Sequence, residues 1–589
     1  MRLTLDHLYK RVIGGWQRRW QIIFSVALLV FNFAAPAVAQ KPHAILPQVF
    51  IDTSWNPPVG GHTWPALTSA QFTSALQSAQ PGDIILLKAG TVYTGNFVVP
   101  AKANPDGKWI YVESSALSNL PPPRTRVSPP DAGNMPKIVT PNATNAIRFQ
   151  DGANYWRFVG IEIYSASTYQ PPGYTPGVFF GYALVDKFSY PGTSNIPDHI
   201  FFDRCYVHGD STHDVQQGIV GNDTYFAVVD SYISDIHAKY PTETQAVVAY
   251  TTPGPIKLVN NHLEATTENV MFGGAGRGAF GFVPSDIEVQ DNYFYKPLSW
   301  VPLSVGTNTY TVKNAFEIKS GQRVLFNNNV IKNNWSAAQN GFAIVLTVRT
   351  IQSGDVAVVN DITITNNKLK NVVGGINTSS VDGQCVLPNC TNAGSQDRWD
   401  IINNLIEFYD PTLPGGDRNF GILLNGGIDN PGGGVFVPLR DVVFQHNTMI
   451  PAASTPCFSS VYFSVPSLLG SPPFSSNVTN NIWLLDNVMC KQPTGDWGLQ
   501  GTSGLTQYMG TPSTPPDDLT QRFFGNVMFV PPGNSVATFP PHNLATTVPL
   551  IYFNPPRDNF QLLLPKWTDT TDGLIAGITN SSLPVSFLP

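Results

Sequence analysis

Apolar and polar positions alternate along most of this chain, and a short phrase interrupts the alternation again and again. Alternating apolar residues are followed by two polar ones, usually ending in Asn, and then by another apolar position. The phrase reads IKLVNNHL with its core ending at Asn261, DIEVQDNYF at Asn292, RVLFNNNVI at Asn329, DITITNNKL at Asn367, DIINNLI at Asn404 and VVFQHNTM at Asn447. Weaker copies end at Ile161, Cys205, Ser231 and Asn481. The ten copies are spaced by 44, 26, 30, 31, 37, 38, 37, 43 and 34 residues. Periods in this range mark stacked supersecondary units. Period-2 alternation makes the unit a strand rather than a helix.

The polar pair predicts a corner. Asn tolerates left-handed backbone at a turn, and its side-chain amide can bond the same position one coil away. A column of such residues is a structural ladder, not a ligand set. A second strand precedes each phrase across a loop of variable length, as in NAIRFQ at Asn145, QGIVGN at Gln217, QAVVAY at Gln245, ENVMFG at Glu268, NAFEIK at Asn314, FAIVLT at Phe342 and FGILLN at Phe420. One coil therefore has at least two strands and two turns. The pattern predicts an all-β parallel β-helix solenoid; a propeller would need blades of four antiparallel strands. Helical spacing is confined to Phe72, Ala75, Leu76 and Ala79 behind a capping box, Thr68-Ser69-Ala70-Gln71. A helix there would plug the open first coil.

Composition fits an extracellular all-β protein. The chain has 589 residues, only 13% of them charged, with 50 Gly and 51 Pro. Its formal net charge of −6 and lack of a basic stripe argue against a nucleic-acid partner. Residues 1–39 read as a signal peptide: Lys10, Arg11, Arg18 and Arg19 precede an apolar run from Ile22 to Val30, and Ala37-Val38-Ala39 offers a cleavage site. The mature chain would then not span a membrane and would be secreted, periplasmic or held at the cell surface. Residues 40–530 are expected to form the β-helix, with a cap over about 60–100 and repeats over about 140–490. Pro-rich residues 531–589 would be a tail folded over the last coil. Cys385 and Cys390 could close a loop, Cys457 and Cys490 lie about a coil apart, and Cys205 reads as a buried free thiol.

The stretch from Gln71 to Val99 resembles the opening of pectin-lyase-like right-handed β-helix proteins, chondroitinase B and the alginate lyases among them, and a looser resemblance follows the repeats to about residue 530. It implies a monomer acting on an extracellular polysaccharide. Those lyases carry an essential Lys in a Lys-Ser segment followed by a strand and Asn-Asn. Lys319-Ser320, then Arg323-Val324 and Asn328-Asn329, is similar to it. The resemblance makes calcium a candidate cofactor. The positions of the family's calcium-binding carboxylates are held here by Val312 and Asn314, and the family's Arg-His-Gly is replaced, with a delay, by Arg349. The metal ligands are left open.

Aligning the second strands puts Glu317 and Lys319 on one face from pattern alone, whereas Arg349 comes from the resemblance. One column holds Gln217, Gln245, Glu268, Asn314 and Phe342; the next outward ones hold Val220, Val248, Met271, Glu317 and Val345, then Asn222, Tyr250, Gly273, Lys319 and Thr347. Ile219, Val247, Val270, Phe316 and Ile344 should face the core. Glu317 and Lys319 on one open face read either as a solvated ion pair or as a base and its partner over a sugar. Catalysis is therefore expected at Lys319, Glu317 and Arg349, with Tyr250, Gln245, Glu268 and Asn222 binding substrate. A hydrolase using carboxylates among Asp235, Glu264, Glu268 and Glu317 and a non-catalytic glycan-binding surface protein are the alternatives. His208, Asp210, His213 and Asp214, and Asp235, His237, Lys239 and Glu243, are two further polar clusters; Arg277 follows Glu264 and Glu268 in a Gly-rich loop. Trp300, Trp335, Phe272 and Tyr250 are candidate sugar-stacking rings.

Overall fold

The computed structural model describes residues 41–579 except 143, 166–182, 188–194, 212, 239–241, 275–281, 302–309, 350–356, 382–394, 429–435, 453–458, 465–478, 491–504, 506, 507, 510–518, 531–537, 549, 555–558 and 565. The expected signal peptide, the Cys385–Cys390 loop, Cys457, Lys239 and Arg277 lie outside the described residues.

A representative coil runs through Gly321–Asn327, Val330–Asn334 and Phe342–Thr347. Each strand pairs in parallel with its counterparts in the coils before and after. Among the described residues this builds sheets of 14, 14 and 11 strands, here called I, II and III in the order the chain visits them. Val324, Ile362, Trp399, Val442 and Ile482 stand in register on sheet I, all with 0% exposure. The chain is a right-handed parallel β-helix. Its coils have one strand more than the expected minimum, because the residues just after each corner Asn form sheet II. Sheet III also includes Gly374–Ser379 and Ser459–Ser464, whose runs lack the clear alternation used to find the others.

The corner between sheets I and II divides its work between two neighbours. The first takes the left-handed conformation: Asp230, Asn260, Asp291, Asn328, Asn366, Asn403, His446 and Asp486 have φ between 54° and 59°. The second forms the ladder. Asn329 Oδ1 accepts from Asn292 N (2.9 Å) and Asn292 Nδ2 (3.1 Å), while its own Nδ2 donates to Val289 O (2.9 Å) and Asn367 Oδ1 (3.2 Å). The same pattern runs through Asn261, Asn292, Asn367, Asn404, Asn447, Asn487 and Asn526 to Asn543. The copy expected at Asn481 is corrected to Asn487. Asn481 is in a sheet I strand and donates to Asp441, whereas Asn487 continues the ladder.

The first and last described segments lie on the outside of the coils. The helix Ser69–Ser78 buries Phe72 against Phe97 and Tyr93 at the first coil. Thr68 Oγ1 accepts from Gln71 N, but the Gln71 side chain reaches Leu67 N rather than Thr68 N, so the capping box is only half formed. Upstream, residues 41–56 run as a strap across sheet I. Ala44 N meets Asp400, Ile45 N meets Asp361, Gln48 N meets Asp286, Ile51 O takes Lys257 Nζ, Thr53 and Ser54 carbonyls take Arg157, and Asn56 O takes Tyr111. At the other end, parallel pairing continues through Leu544–Thr546, past the expected boundary at 530, because Asn543 supplies one more rung. The last described segment packs on the side of sheet II rather than over the final coil. Ile578 contacts Leu405, and Ala576 contacts Val488 and Val527.

Candidate functional site

Sheet III presents its outward columns in the expected register. Gln217, Gln245 and Glu268 are aligned, as are Val220, Val248, Met271, Glu317 and Val345. Ile219, Val247, Val270, Phe316 and Ile344 point into the core with 0% exposure. The solvated reading of Glu317 and Lys319 is overturned: the pair is 3–5% exposed, and Lys319 Nζ lies 3.5 Å from Glu317 Oε1. Three features bury it. Lys319 Nζ touches Met271 Sδ at 3.2 Å, Gly274 passes so close that a Cβ there would come within 2.9 Å of Lys319 Cδ, and Val345 closes the next coil.

Around the pair stands a larger charged group. Lys313 Nζ bonds Glu243 Oε1 and lies 3.7 Å from Glu268 Oε1. Glu268 Oε2 accepts from Gln245 Nε2 (2.7 Å), and Glu317 Oε2 accepts from Asn314 Nδ2 (3.2 Å). Gln217 Nε2 joins Gln245 Oε1 (3.1 Å) to Tyr250 Oη (2.7 Å). Glu268 Oε1 and Asn314 Oδ1 are buried and accept no hydrogen bond among the described residues. Burial, reinforced by the Glu317 carboxylate, pushes the Glu268 carboxyl up to about 7, despite the pull of Lys319 and Lys313. At Glu243 burial works in the same direction, but Lys313 outweighs it and holds that carboxyl below its usual value. Lys313 itself is raised: burial opposes its charge, and Glu268 and Glu243 outweigh the burial.

Six of the seven expected site residues belong to this neighbourhood as side chains or through the chain that holds them. Arg349 N donates to Lys319 O (3.1 Å), and its guanidinium helps lower Glu243. Tyr250 and Gln245 reach the cluster through Gln217. Asn222 is different: its Oδ1 is taken by Tyr250 N (2.8 Å) and Thr251 N (3.2 Å), which makes it a turn former. Lys313 was not anticipated. It sits between the two positions considered for metal ligands, outside any strand, where alternation assigns no face. Of the ring candidates, Trp300 and Trp335 pack with Val312, Val373 and Tyr409, and Phe272 is in the main core, so Tyr250 alone stays at the site. His208 faces Glu162 (3.1 Å) and His213 faces Asp210 (3.0 Å), away from sheet III's columns. Glu264, on sheet II, is pushed up to about 7 by burial and borders His262 (3.3 Å). Cys205 is the expected buried free thiol, its pKa pushed up to about 12 by burial, and Cys490 is disulfide-bonded.

Calcium, which the family resemblance implies, does not fit these residues. Val312 is in an apolar cluster, Asn314 gives its amide to Glu317, and the Lys313 ammonium stands among the oxygens a divalent cation would need. The described residues do bring His446, Asp486 and Asp572 together elsewhere, where His446 Nε2 already meets Asp572 Oδ2 at 2.9 Å and fastens the C-terminal segment.

No protein-family model matches the sequence, and no curated protein does. Among solved structures the chain is similar to the alginate lyase AlyGC of family PL6, at 15% identity and a TM-score of 0.49, over 90% of this chain and 59% of that one. It is similar to an alginate lyase from Paenibacillus sp. (11% identity, TM-score 0.36, 69% of this chain and 99% of that one). A GH87 α-1,3-glucanase from Streptomyces thermodiastaticus gives 12% identity and a TM-score of 0.39 over 73% and 71% of the two chains. The strand registers, not these likenesses, establish the fold.

Proposed function

We propose that this protein is a polysaccharide lyase that cleaves uronate glycans by β-elimination at the charged cluster of sheet III. One observation carries the reading: three carboxylates and two ammonium groups are gathered on and beside one stretch of sheet III, all but Glu243 mostly buried. Such groups are costly to desolvate, and a β-helix can be closed without them. Charged groups shifted by their neighbours, as Glu268, Glu243 and Lys313 are, cluster where chemistry is done.

In this reading Lys319 Nζ takes the proton from C5 of the uronate. The electron pair forms the C4–C5 double bond, the C4–O bond breaks, and the leaving oxygen takes a proton from water. Glu317 orients Lys319, Arg349 offsets the substrate carboxylate, and Gln245 and Tyr250 contribute hydrogen-bonding groups at the edge. Export by residues 1–39 and action as a monomer on an extracellular glycan complete the proposal.

The test is ultraviolet absorbance of unsaturated ends after incubation with a panel of uronate polysaccharides. The native chain should generate product and Lys319→Ala should not. Saturated reducing ends without absorbance would favour a second reading. There Glu268, protonated up to about pH 7, is the acid of a hydrolase and Glu317 its carboxylate partner.

A further inference from the structure

We infer that Lys313 is a resident cation, a covalently supplied positive charge that lets the sheet III cluster work without a metal. The consequence for catalysis rests on the function proposed above; the geometry and the test do not. The segment that carries Lys313 is held by three hydrogen bonds, two of them to Thr267. Thr267 Oγ1 donates to Thr311 O (2.9 Å), Asn314 N donates to Thr267 O (3.1 Å), and Asn334 Nδ2 donates to Lys313 O (3.2 Å). The residue that clamps this segment is thus the immediate neighbour of Glu268. The clamped stem delivers the ammonium between Glu243 and Glu268, with only 12% of the side chain exposed.

The surrounding oxygens form a cation-binding set. Among the described residues Glu268 Oε1 and Asn314 Oδ1 are buried without a hydrogen bond, and Glu243 brings a second carboxylate. Hard divalent ions are bound by carboxylate and amide oxygens of this type. A lone pair left without a donor in a buried site is costly, and a positive charge nearby offsets that cost. The ammonium supplies that charge permanently and repels a second cation. Glu268 and Glu243 in turn keep it charged, since they outweigh its burial.

The experiment compares the full native chain with Lys313→Met, Lys313→Arg and Glu268→Gln. Terbium luminescence and calcium titration report metal binding, and thermal unfolding is followed with and without EDTA. The native chain and Lys313→Arg should show no EDTA-dependent change in Tm. Lys313→Met should bind calcium about tenfold more tightly than the native chain and gain Tm from it, and adding Glu268→Gln should abolish the gain. Calcium uptake by the native chain that Glu268→Gln removes would overturn the inference. So would a folded Lys313→Met that gains no affinity. Should Lys313→Met fail to fold, the native chain and Lys313→Arg decide: Tm insensitive to EDTA in both supports the inference, and sensitivity abolished by Glu268→Gln overturns it. Absence of unsaturated product would remove the lyase reading while leaving the metal result standing.

Discussion

Two buried polar regions of this molecule follow opposite rules. The Asn ladder between sheets I and II repeats coil after coil, carries no charge, and satisfies its amides on both sides. Among the described residues the sheet III cluster occurs once, is charged, and leaves Glu268 Oε1 and Asn314 Oδ1 without hydrogen bonds. Burial alone therefore does not separate scaffold from site. Repetition with full satisfaction marks scaffold. Singularity with incomplete satisfaction marks a place where stability is sacrificed. Lys296 sharpens the point. It is fully buried, and burial pulls its pKa down to about 7, yet its Nζ is surrounded by the acceptors Ala265 O, Thr266 O, Thr267 O and Asn269 Oδ1, so it belongs with the ladder.

The largest effect should come from breaking a rung. Asn329→Asp puts a carboxylate where the chain needs a donor, and the protein should be recovered as aggregate. Asn329→Ala should lose about 3 kcal/mol in urea unfolding, because partners on both neighbouring coils are orphaned. The charged cluster should respond the other way. The double change Glu317→Gln with Lys319→Met should leave unfolding free energy unchanged or raised, because it removes both charges together. Product formation in the same variant should fall by at least about a hundredfold.

A smaller effect follows from pH. In the unfolded chain Glu268 ionises near 4.5, but in the fold it keeps its proton up to about 7. Between these values the folded state binds more protons, so stability falls as pH rises across that window and levels off above it. Glu264, also raised to about 7, acts in the same sense. Chemical unfolding as a function of pH should show the decline, and Glu268→Gln should flatten part of it. The smallest change is expected at the strap. Asp361→Ala removes the acceptor of Ile45 N and the partner of Arg398. It should cost about 1 kcal/mol and speed proteolytic cleavage within residues 41–56.

The fold was legible because its signal is redundant. Copies of one phrase fix strand, corner and period together, and the columns of sheet III align from sequence with no structural help. Weak copies failed where the ladder position is preceded by other polar residues, as at Asn481 and Asn487. The candidate site was legible where strand alternation assigns a face, at Glu317 and Lys319, whereas Glu268 shares the parity of core-facing Val270 and was placed only by its column. Lys313 and Glu243 lie in the connections between strands, where no period applies, and only tertiary packing brings them to Glu268. The strap was invisible for a related reason: IDTSWNPP has no alternation, and its hydrogen bonds are made by backbone groups that every residue type carries.

That strap has a kinetic meaning. Lys41 bonds Gln445, 404 residues further along the chain. At the usual rate of synthesis, roughly 20–80 s separate the emergence of the two from the ribosome. The strap can therefore finish docking only once the coil that carries Gln445 has formed. Its engagement would be a timer that reports completed stacking, readable as late protection of residues 41–56 in pulse-labelled hydrogen exchange.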